Sequence, residues 1–240
     1  MSTIVTSSGL SVLDRPAWSA LTGGHASLAL GGDYGRRYPQ AMAVFAGITD
    51  AAEHQTQALA ELAAVTAPGE SLVIMGGADP LPLPEWAPPR TFEIVQMVCQ
   101  HPISERSAST NAISISPLTP DDSAEMLALV KLTEPGPFFA RTIELGHYYG
   151  IREGGQLVAM AGERLFPTGF REISAVCTHP DYQKRGYARR LVTHLVSENF
   201  AAGRVPFLHT GVDNSRAITL YESLGFVLRT TLRFHLLRRR

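Results

Sequence analysis

Ala175 to Arg189 reads Ala-Val-Cys-Thr-His-Pro-Asp-Tyr-Gln-Lys-Arg-Gly-Tyr-Ala-Arg, and these residue types suit the binding of an anion. The apolar run before Pro180 predicts a buried strand, a short turn follows, and an amphipathic helix begins near Arg185. Amides in a helix's first turn have no partner inside the helix, and the macrodipole adds partial positive charge there. A pyrophosphate fits such a terminus. Gly186 would let it reach the backbone with no Cβ in the way, Ala188 keeps the next turn small, and Lys184, Arg185 and Arg189 add charge. Basic side chains oppose the positive end of a helix, where a purely structural cap would favour Asp or Glu. A bound anion removes that conflict, and a plain strand-to-helix turn leaves it standing.

Other reactive side chains carry less. His147, His179, His194 and His209 show no metal-ligand spacing, so no metal is expected and the four read as surface or packing residues. Cys99 and Cys177 each sit inside an apolar run and are expected to be buried, reduced thiols. That fits a reducing compartment, argues against a disulfide scaffold and makes Cys177 a poor nucleophile.

The elements that must hold the turn are legible mainly in the second half. A strand is expected at Ile113 to Ile115, then a helix from Thr119-Pro120-Asp121-Asp122 to Leu132 with Thr119 as cap, and a second helix from Phe138 to Leu145. Tyr148 to Glu153, Leu157 to Phe166 and Phe170 to Thr178 form a meander punctuated by Gly154-Gly155 and Pro167-Thr168-Gly169. Ala188, Leu191, Val192, Leu195 and Val196 repeat at helical spacing up to Gly203. A strand at Val205 to Thr210, a helix at Ser215 to Leu224 and a strand at Leu228 to Leu237 complete the order βααβββαβαβ, an α/β fold with a mixed sheet and helices on both faces. The first half offers β-like runs at Ala26 to Leu30, Ala41 to Ile48, Ser71 to Met75 and Phe92 to Cys99. A helix at Ala51 to Val65 and an extended loop with five prolines from Pro80 to Pro89 separate them. A polar stretch, His101 to Asn111, joins the halves and sets the expected domains at 1–109 and 110–240.

Bulk properties exclude several classes. The 240 residues carry 21 basic and 22 acidic side chains, a net charge of −1, so no whole-molecule field draws nucleic acid or an anionic membrane. With 45% hydrophobic and 18% charged residues the chain is an ordinary globular one. Arg238-Arg239-Arg240 reads as a solvated chain end. Met1-Ser2-Thr3-Ile4 opens no signal peptide and no apolar run reaches membrane-spanning length, so a cytoplasmic protein without a membrane partner is expected.

Thr178-x-Pro180-x-x-Gln183-x-x-Gly186-x-Ala188 resembles the acetyl-CoA pyrophosphate motif of the GNAT superfamily of N-acetyltransferases. Asn214 to Phe226, with Ala217, Tyr221 and Gly225, resembles that superfamily's second signature, N-x-x-A-x-x-x-Y-x-x-x-G-F. The two stand at the expected separation, joined by a helix and a strand. The FR47-like branch, with a degenerate GNAT-like N-terminal half, is the most similar. The resemblance implies an acyltransferase with a GNAT fold in the C-terminal half and a related, smaller α/β domain before it. Acetyl-CoA is then the co-substrate, no metal is needed, and the acceptor is a primary amine of a small molecule or peptide. A monomer or homodimer is expected, with no nucleic-acid partner.

The resemblance also implies roles. Val176, Cys177 and Thr178 would line the pantetheine arm, with the backbone of Val176 and Thr178 pairing it as an added strand does. Amides of Gln183, Lys184, Arg185, Gly186, Tyr187, Ala188 and Arg189 would hold the pyrophosphate. Asn214 would hold the pantetheine region, and it equally suits a helix N-cap. Tyr221 matches the general acid that protonates the departing thiolate, although Ala217, Leu220, Tyr221 and Leu224 also form one apolar stripe. Glu172, eleven residues before Gln183, stands where histone-acetylating members carry their catalytic base. Its alternative is a cross-strand salt bridge to Arg164. Glu163 and an ordered water are the other base candidates. A non-catalytic acyl-CoA-binding regulatory module is the competing function, and an intact Tyr221 speaks against it. A nucleotide-binding oxidoreductase or kinase lacks both a G-x-G-x-x-G after a strand and a Walker motif.

Overall fold

Alternation of apolar residues at a period of two, broken by glycine and proline, builds a sheet that the helical stripes then cover. A computed structural model of the protein describes residues 7–102 and 114–240. Most of the polar joining stretch, the boundary at 109/110 and Ile113 lie outside the described residues; the strand expected there begins instead at Ser116.

The strands are β1 (Leu30–Gly31), β2 (Gly35–Arg37), β3 (Phe45–Ile48), β4 (Ser71–Met75), β5 (Arg90–Cys99), β6 (Ser116–Leu118), β7 (Tyr148–Glu153), β8 (Gln156–Glu163), β9 (Phe170–Thr178), β10 (Val205–Gly211) and β11 (Phe226–Arg238). The helices are α1 (Pro16–Leu21), α2 (Gln55–Ala64), α3 (Ser123–Thr133), α4 (Tyr187–Ala201) and α5 (Ser215–Glu222). All strands join one open mixed sheet in the order β1-β2-β3-β4-β11-β5-β10-β9-β8-β7-β6. Only β3 with β4 and β9 with β10 run parallel; the other neighbours are antiparallel.

The order joins the two halves edge to edge in one sheet. β11, the C-terminal strand, lies between β4 and β5 of the first half, and β5 in turn lies between β11 and β10. The ten residues of β5 are matched by β11 over their whole length, from Phe226↔Cys99 to Leu236↔Arg90. Edge pairing satisfies the backbone of both halves in one ladder, which stacking two sheets would not do.

Successive residues of a strand face opposite sides, and β10 shows what each side carries. Phe207 enters a core with Leu21 of α1, Met75 and Phe170, whereas Leu208 joins Leu191, Val192, Leu195 and Val196 of α4. Those four α4 side chains are fully buried. At roughly 1.5–3 kcal/mol each, burial rather than propensity holds this helix to the sheet.

Three further expectations differ in detail, and one strand was not anticipated. Ala26–Leu28 forms a 3-10 turn before β1, and the strand expected from Ala41 begins at Phe45. The helix expected from Phe138 shrinks to a 3-10 turn at Thr142–Leu145, because Pro135 and Pro137 hold the preceding chain extended. β2 was missed because Arg36 and Arg37 mask its strand character. Arg37 is 1% exposed, bonded through Nη1 to Thr66 and Glu70.

Candidate active site

β9 and β10 pair in parallel only at Phe170 to Glu172 with Val205 to Phe207. Beyond that point β9 follows β8 to Thr178 and β10 follows β5 to Gly211. The strands part, and a wedge opens between Ile173–Thr178 and His209–Gly211. Both walls of the wedge line a single cavity of about 960 Å³. β9 bulges inside the wedge: Met160 pairs Cys177 and Gly162 pairs Ser174, so Ala175 and Val176 together oppose Ala161. Ala175 takes φ 52° to make the bulge. Glu134, Ala175 and Lys184, the non-glycine residues with positive φ among the described residues, all stand in this cavity's walls. Backbone strain of this kind clusters where a ligand must be received.

At the end of β9 a 3-10 turn, Pro180–Tyr182, leads to Gly186 at φ 80°, and α4 starts at Tyr187. A Cβ built on Gly186 meets nothing within 4 Å, so its backbone faces open space, as an anion cradle requires. Gln183, Lys184, Gly186, Tyr187, Ala188 and Arg189 line the cavity there. Arg185 does not: its guanidinium lies 4.7 Å from the centre of the Tyr182 ring. Val176, Cys177, Thr178 and Asn214 also line the cavity. Asn214 caps α5, its Oδ1 accepting from the Ala217 amide at 3.2 Å. Arg216 was not anticipated; it donates to Gln183 Oε1 at 3.1 Å and ties the two signature segments together.

Tyr221 lines the same cavity and is 7% exposed. Burial pushes its hydroxyl up to about 12, so it carries its proton at neutral pH. Cys177 is pushed up to about 11 by burial, which leaves it a thiol.

Glu172, the base candidate, is fully buried and stands behind the cavity rather than in its wall. Arg164 donates to Oε2 from Nε at 2.9 Å and to Oε1 from Nη2 at 2.6 Å, so the cross-strand bridge anticipated as its alternative is the one formed. Burial alone would raise this carboxyl; the Arg164 charge and hydrogen bonds, with a further bond from His209, outweigh it and hold it at about 2. Glu163, the second candidate, is buried beside His147 and also absent from the cavity wall.

The first half contributes walls that motif spacing gave no hint of. Phe45, Val73, Phe92 and Ile94 line the cavity together with Phe234 of β11 and the loop Glu134–Pro137. Their signal was invisible because each is an ordinary apolar strand residue. Only the sheet order brings β3, β4 and β5 beside the wedge. His209 was read as packing, yet it lines the cavity and has a carboxylate partner in Glu172. Among the described residues no group of three or more His, Cys, Asp or Glu is placed to hold a metal, and no helix is long and apolar enough to cross a membrane.

Comparison with known proteins agrees with this geometry. A family model described as FR47-like protein matches residues 148–234. The N-alpha-acetyltransferase RimI of Mycobacterium tuberculosis is 38% identical over 131 residues, covering 50% of this chain and 82% of that protein. A [ribosomal protein bS18]-alanine N-acetyltransferase of Salmonella typhimurium is 44% identical over 52 residues, 21% of this chain and 35% of that enzyme. Among solved structures, a putative GNAT-family acetyltransferase of Novosphingobium aromaticivorans is 35% identical, with a TM-score of 0.84 over 95% of this chain and 98% of that one.

Proposed function

This chain belongs to the GNAT superfamily of N-acetyltransferases, in its FR47-like branch, and we propose that it transfers acetyl from acetyl-CoA directly to a primary amine. One observation carries the reading: the wedge between β9 and β10, the open terminus of α4 and Tyr221 share one cavity. In it the pantetheine arm lies along Val176, Cys177 and Thr178 as an added strand. The pyrophosphate sits on the backbone from Gln183 to Arg189, with Lys184 and Arg189 adding charge, and Asn214 flanks the arm. Arg185 contributes through its amide, since its side chain rests on Tyr182.

The positions of these groups support one chemistry. A deprotonated amine attacks the thioester carbonyl, the tetrahedral centre collapses, and the C–S bond breaks. Tyr221 donates its proton to the leaving thiolate, which its protonated state at neutral pH allows. The acceptor is a small-molecule or peptide amine. The alanine N-acetyltransferase among the similar proteins makes a peptide N-terminus one member of that class. Residues 110–240 supply the catalytic machinery and residues 1–109 support them and wall the acceptor side. The working compartment is the cytoplasm, and the protein acts as a monomer or homodimer.

The test is calorimetry with acetyl-CoA, followed by a mass-shift screen of primary amines and alanine-initiated peptides. Binding at one site per chain and a gain of one acetyl on some amine are expected. Binding without transfer to any amine would favour a regulatory acyl-CoA module; no binding would remove both readings.

A further inference from the structure

We propose that His209 is the group that takes the amine's proton, and that Glu172 acts through it as a positioning residue. The inference rests on the acetyl-transfer reading above. Glu134 and His209 are the carboxylate and the imidazole in the cavity wall, among the described residues. Glu134 is exposed on the loop after α3. His209 stands on β10 two residues past Phe207↔Glu172, the last pair before the strands part. It therefore occupies the closed end of the wedge, where an acyl group carried along β9 must arrive.

The surroundings of the ring set its state. His209 Nδ1 lies 2.7 Å from Glu172 Oε1, and a carboxylate accepts only, so Nδ1 carries the hydrogen. On the other side Gln96 Nε2 stands 3.0 Å from His209 Nε2 and also donates to Leu13 O at 2.9 Å. Gln96 Oε1 accepts from Arg229 Nη1 at 2.7 Å, so the amide cannot flip without losing that bond. The amide nitrogen therefore donates to Nε2, which keeps the lone pair. This is the neutral, lone-pair-bearing tautomer that a base needs before substrate arrives. Phe207 and Phe234 pack edge-on to the ring at 5.6 and 5.4 Å and fix its plane. The charged and titratable groups facing it are Glu172 of β9, Arg164 behind Glu172, and Arg229 of β11 behind Gln96. A buried carboxylate on Nδ1–H, with the Nε2 lone pair held by the neutral Gln96 amide until substrate arrives, repeats the division of labour by which Asp orients His in hydrolytic triads.

The proton ledger closes. The substrate ammonium donates to Nε2, displacing the neutral Gln96 N–H with a charge-assisted bond roughly twice as strong. The amine lone pair then forms the C–N bond, and Glu172 stabilises the imidazolium. Collapse breaks C–S, and Tyr221 protonates the sulfur. The second nitrogen proton leaves to solvent and, in net terms, replaces the one Tyr221 gave. The His209 proton returns to solvent when product departs.

The experiment uses the full chain and whichever amine of the screen the wild type acetylates. His209→Gln should lower kcat by about 10²–10⁴-fold while the calorimetric affinity for acetyl-CoA and the melting temperature stay near wild type. Wild-type kcat should fall on acidification as one proton blocks the base, and His209→Gln should lack that limb. In His209→Ala, added imidazole should restore part of the rate. Nitrogen-15 spectra of the wild-type ring, which need no variant, should show the neutral tautomer with hydrogen on Nδ1. Wild-type turnover in His209→Gln, an unchanged acid limb, a slow variant that imidazole does not rescue, or a ring charged throughout the neutral range would each overturn the assignment and leave the acetyl-transfer reading intact. A wild type that binds acetyl-CoA and acetylates no amine would instead sink both.

Discussion

Tyr221 and His25 show how burial sets protonation at single positions in this molecule, with opposite consequences. Desolvation, which disfavours the phenolate, keeps Tyr221 protonated at neutral pH, as its proposed role of acid requires. Tyr221→Phe retains the ring that packs against Phe226 and deletes the proton, so kcat should drop by about 10²–10⁴-fold with little change in acetyl-CoA affinity. Steady-state rates beside calorimetry check this, and an unchanged kcat would reduce Tyr221 to a packing residue. His25 is buried against Phe166, with Nδ1 2.8 Å from the Tyr38 hydroxyl, and burial lowers it from 6.5 to about 4. The unfolded chain therefore takes up a proton that the folded chain refuses, and stability must fall as pH drops from about 6.5 to about 4. Glu172, held at about 2, works in a lower window: its contribution is complete above the ordinary carboxylate range and is lost as pH falls through about 2. Urea midpoints of His25→Asn should be flatter than wild type between pH 6.5 and 4. Parallel curves would show that His25 is not the source of the acid sensitivity. Neither His25 nor the Glu172–His209 pair was legible in the sequence. Their partners lie 13 and 37 positions away and meet only in the fold.

At the scale of elements, the strand, turn and helix of the proposed anion cradle could be read from local spacing, because every residue of that segment lies between Ala175 and Arg189. The bulge could not: it depends on Ala161 of the neighbouring strand standing opposite two residues. The cavity walls from the first half were likewise hidden, since Phe45, Val73 and Ile94 look like any apolar strand residues until β11 enters between β4 and β5. The cradle itself gives a sharp prediction. Gly186 holds φ 80°, so Gly186→Val combines backbone strain of order 1–2 kcal/mol with a branched side chain in the open space over the helix terminus. A melting temperature lowered by a few degrees together with loss of acetyl-CoA binding is expected. Lys184→Glu, which reverses a charge beside the cradle without touching the Gly186 backbone, separates the two effects: it should weaken acetyl-CoA binding with the melting temperature unchanged. Full affinity in both variants would remove the pyrophosphate from this turn.

For the whole molecule, the sheet order decides how the halves behave together. β11 is matched on one side by β4 and on the other by β5, so the last thirteen-residue strand has both of its ladders in the first half. The core behind it mixes the halves as well, with Val73 and Phe45 beside Phe170, Phe207 and Phe234. Cutting the chain between the halves would strip β11 of both partners and expose β4 and β5 as long bare edges, the condition that drives aggregation rather than independent folding. The intact chain should accordingly unfold as one cooperative unit. Its tryptophans make this directly visible: the two in the chain, Trp18 and Trp86, both lie in the first half, whereas the proposed acetyl-CoA contacts from Val176 to Arg189 and Asn214 lie in the second. Urea transitions followed by tryptophan fluorescence and by far-ultraviolet circular dichroism should therefore coincide. Acetyl-CoA at about 100 times its dissociation constant should stabilise the chain by roughly 2.7 kcal/mol and move both curves equally. If the fluorescence midpoint stayed fixed while the dichroism midpoint rose, the halves would be energetically separate despite their shared sheet. A ligand gripped by one half should instead stabilise the tryptophans of the other, because β5 and β11 leave the sheet no seam along which to part.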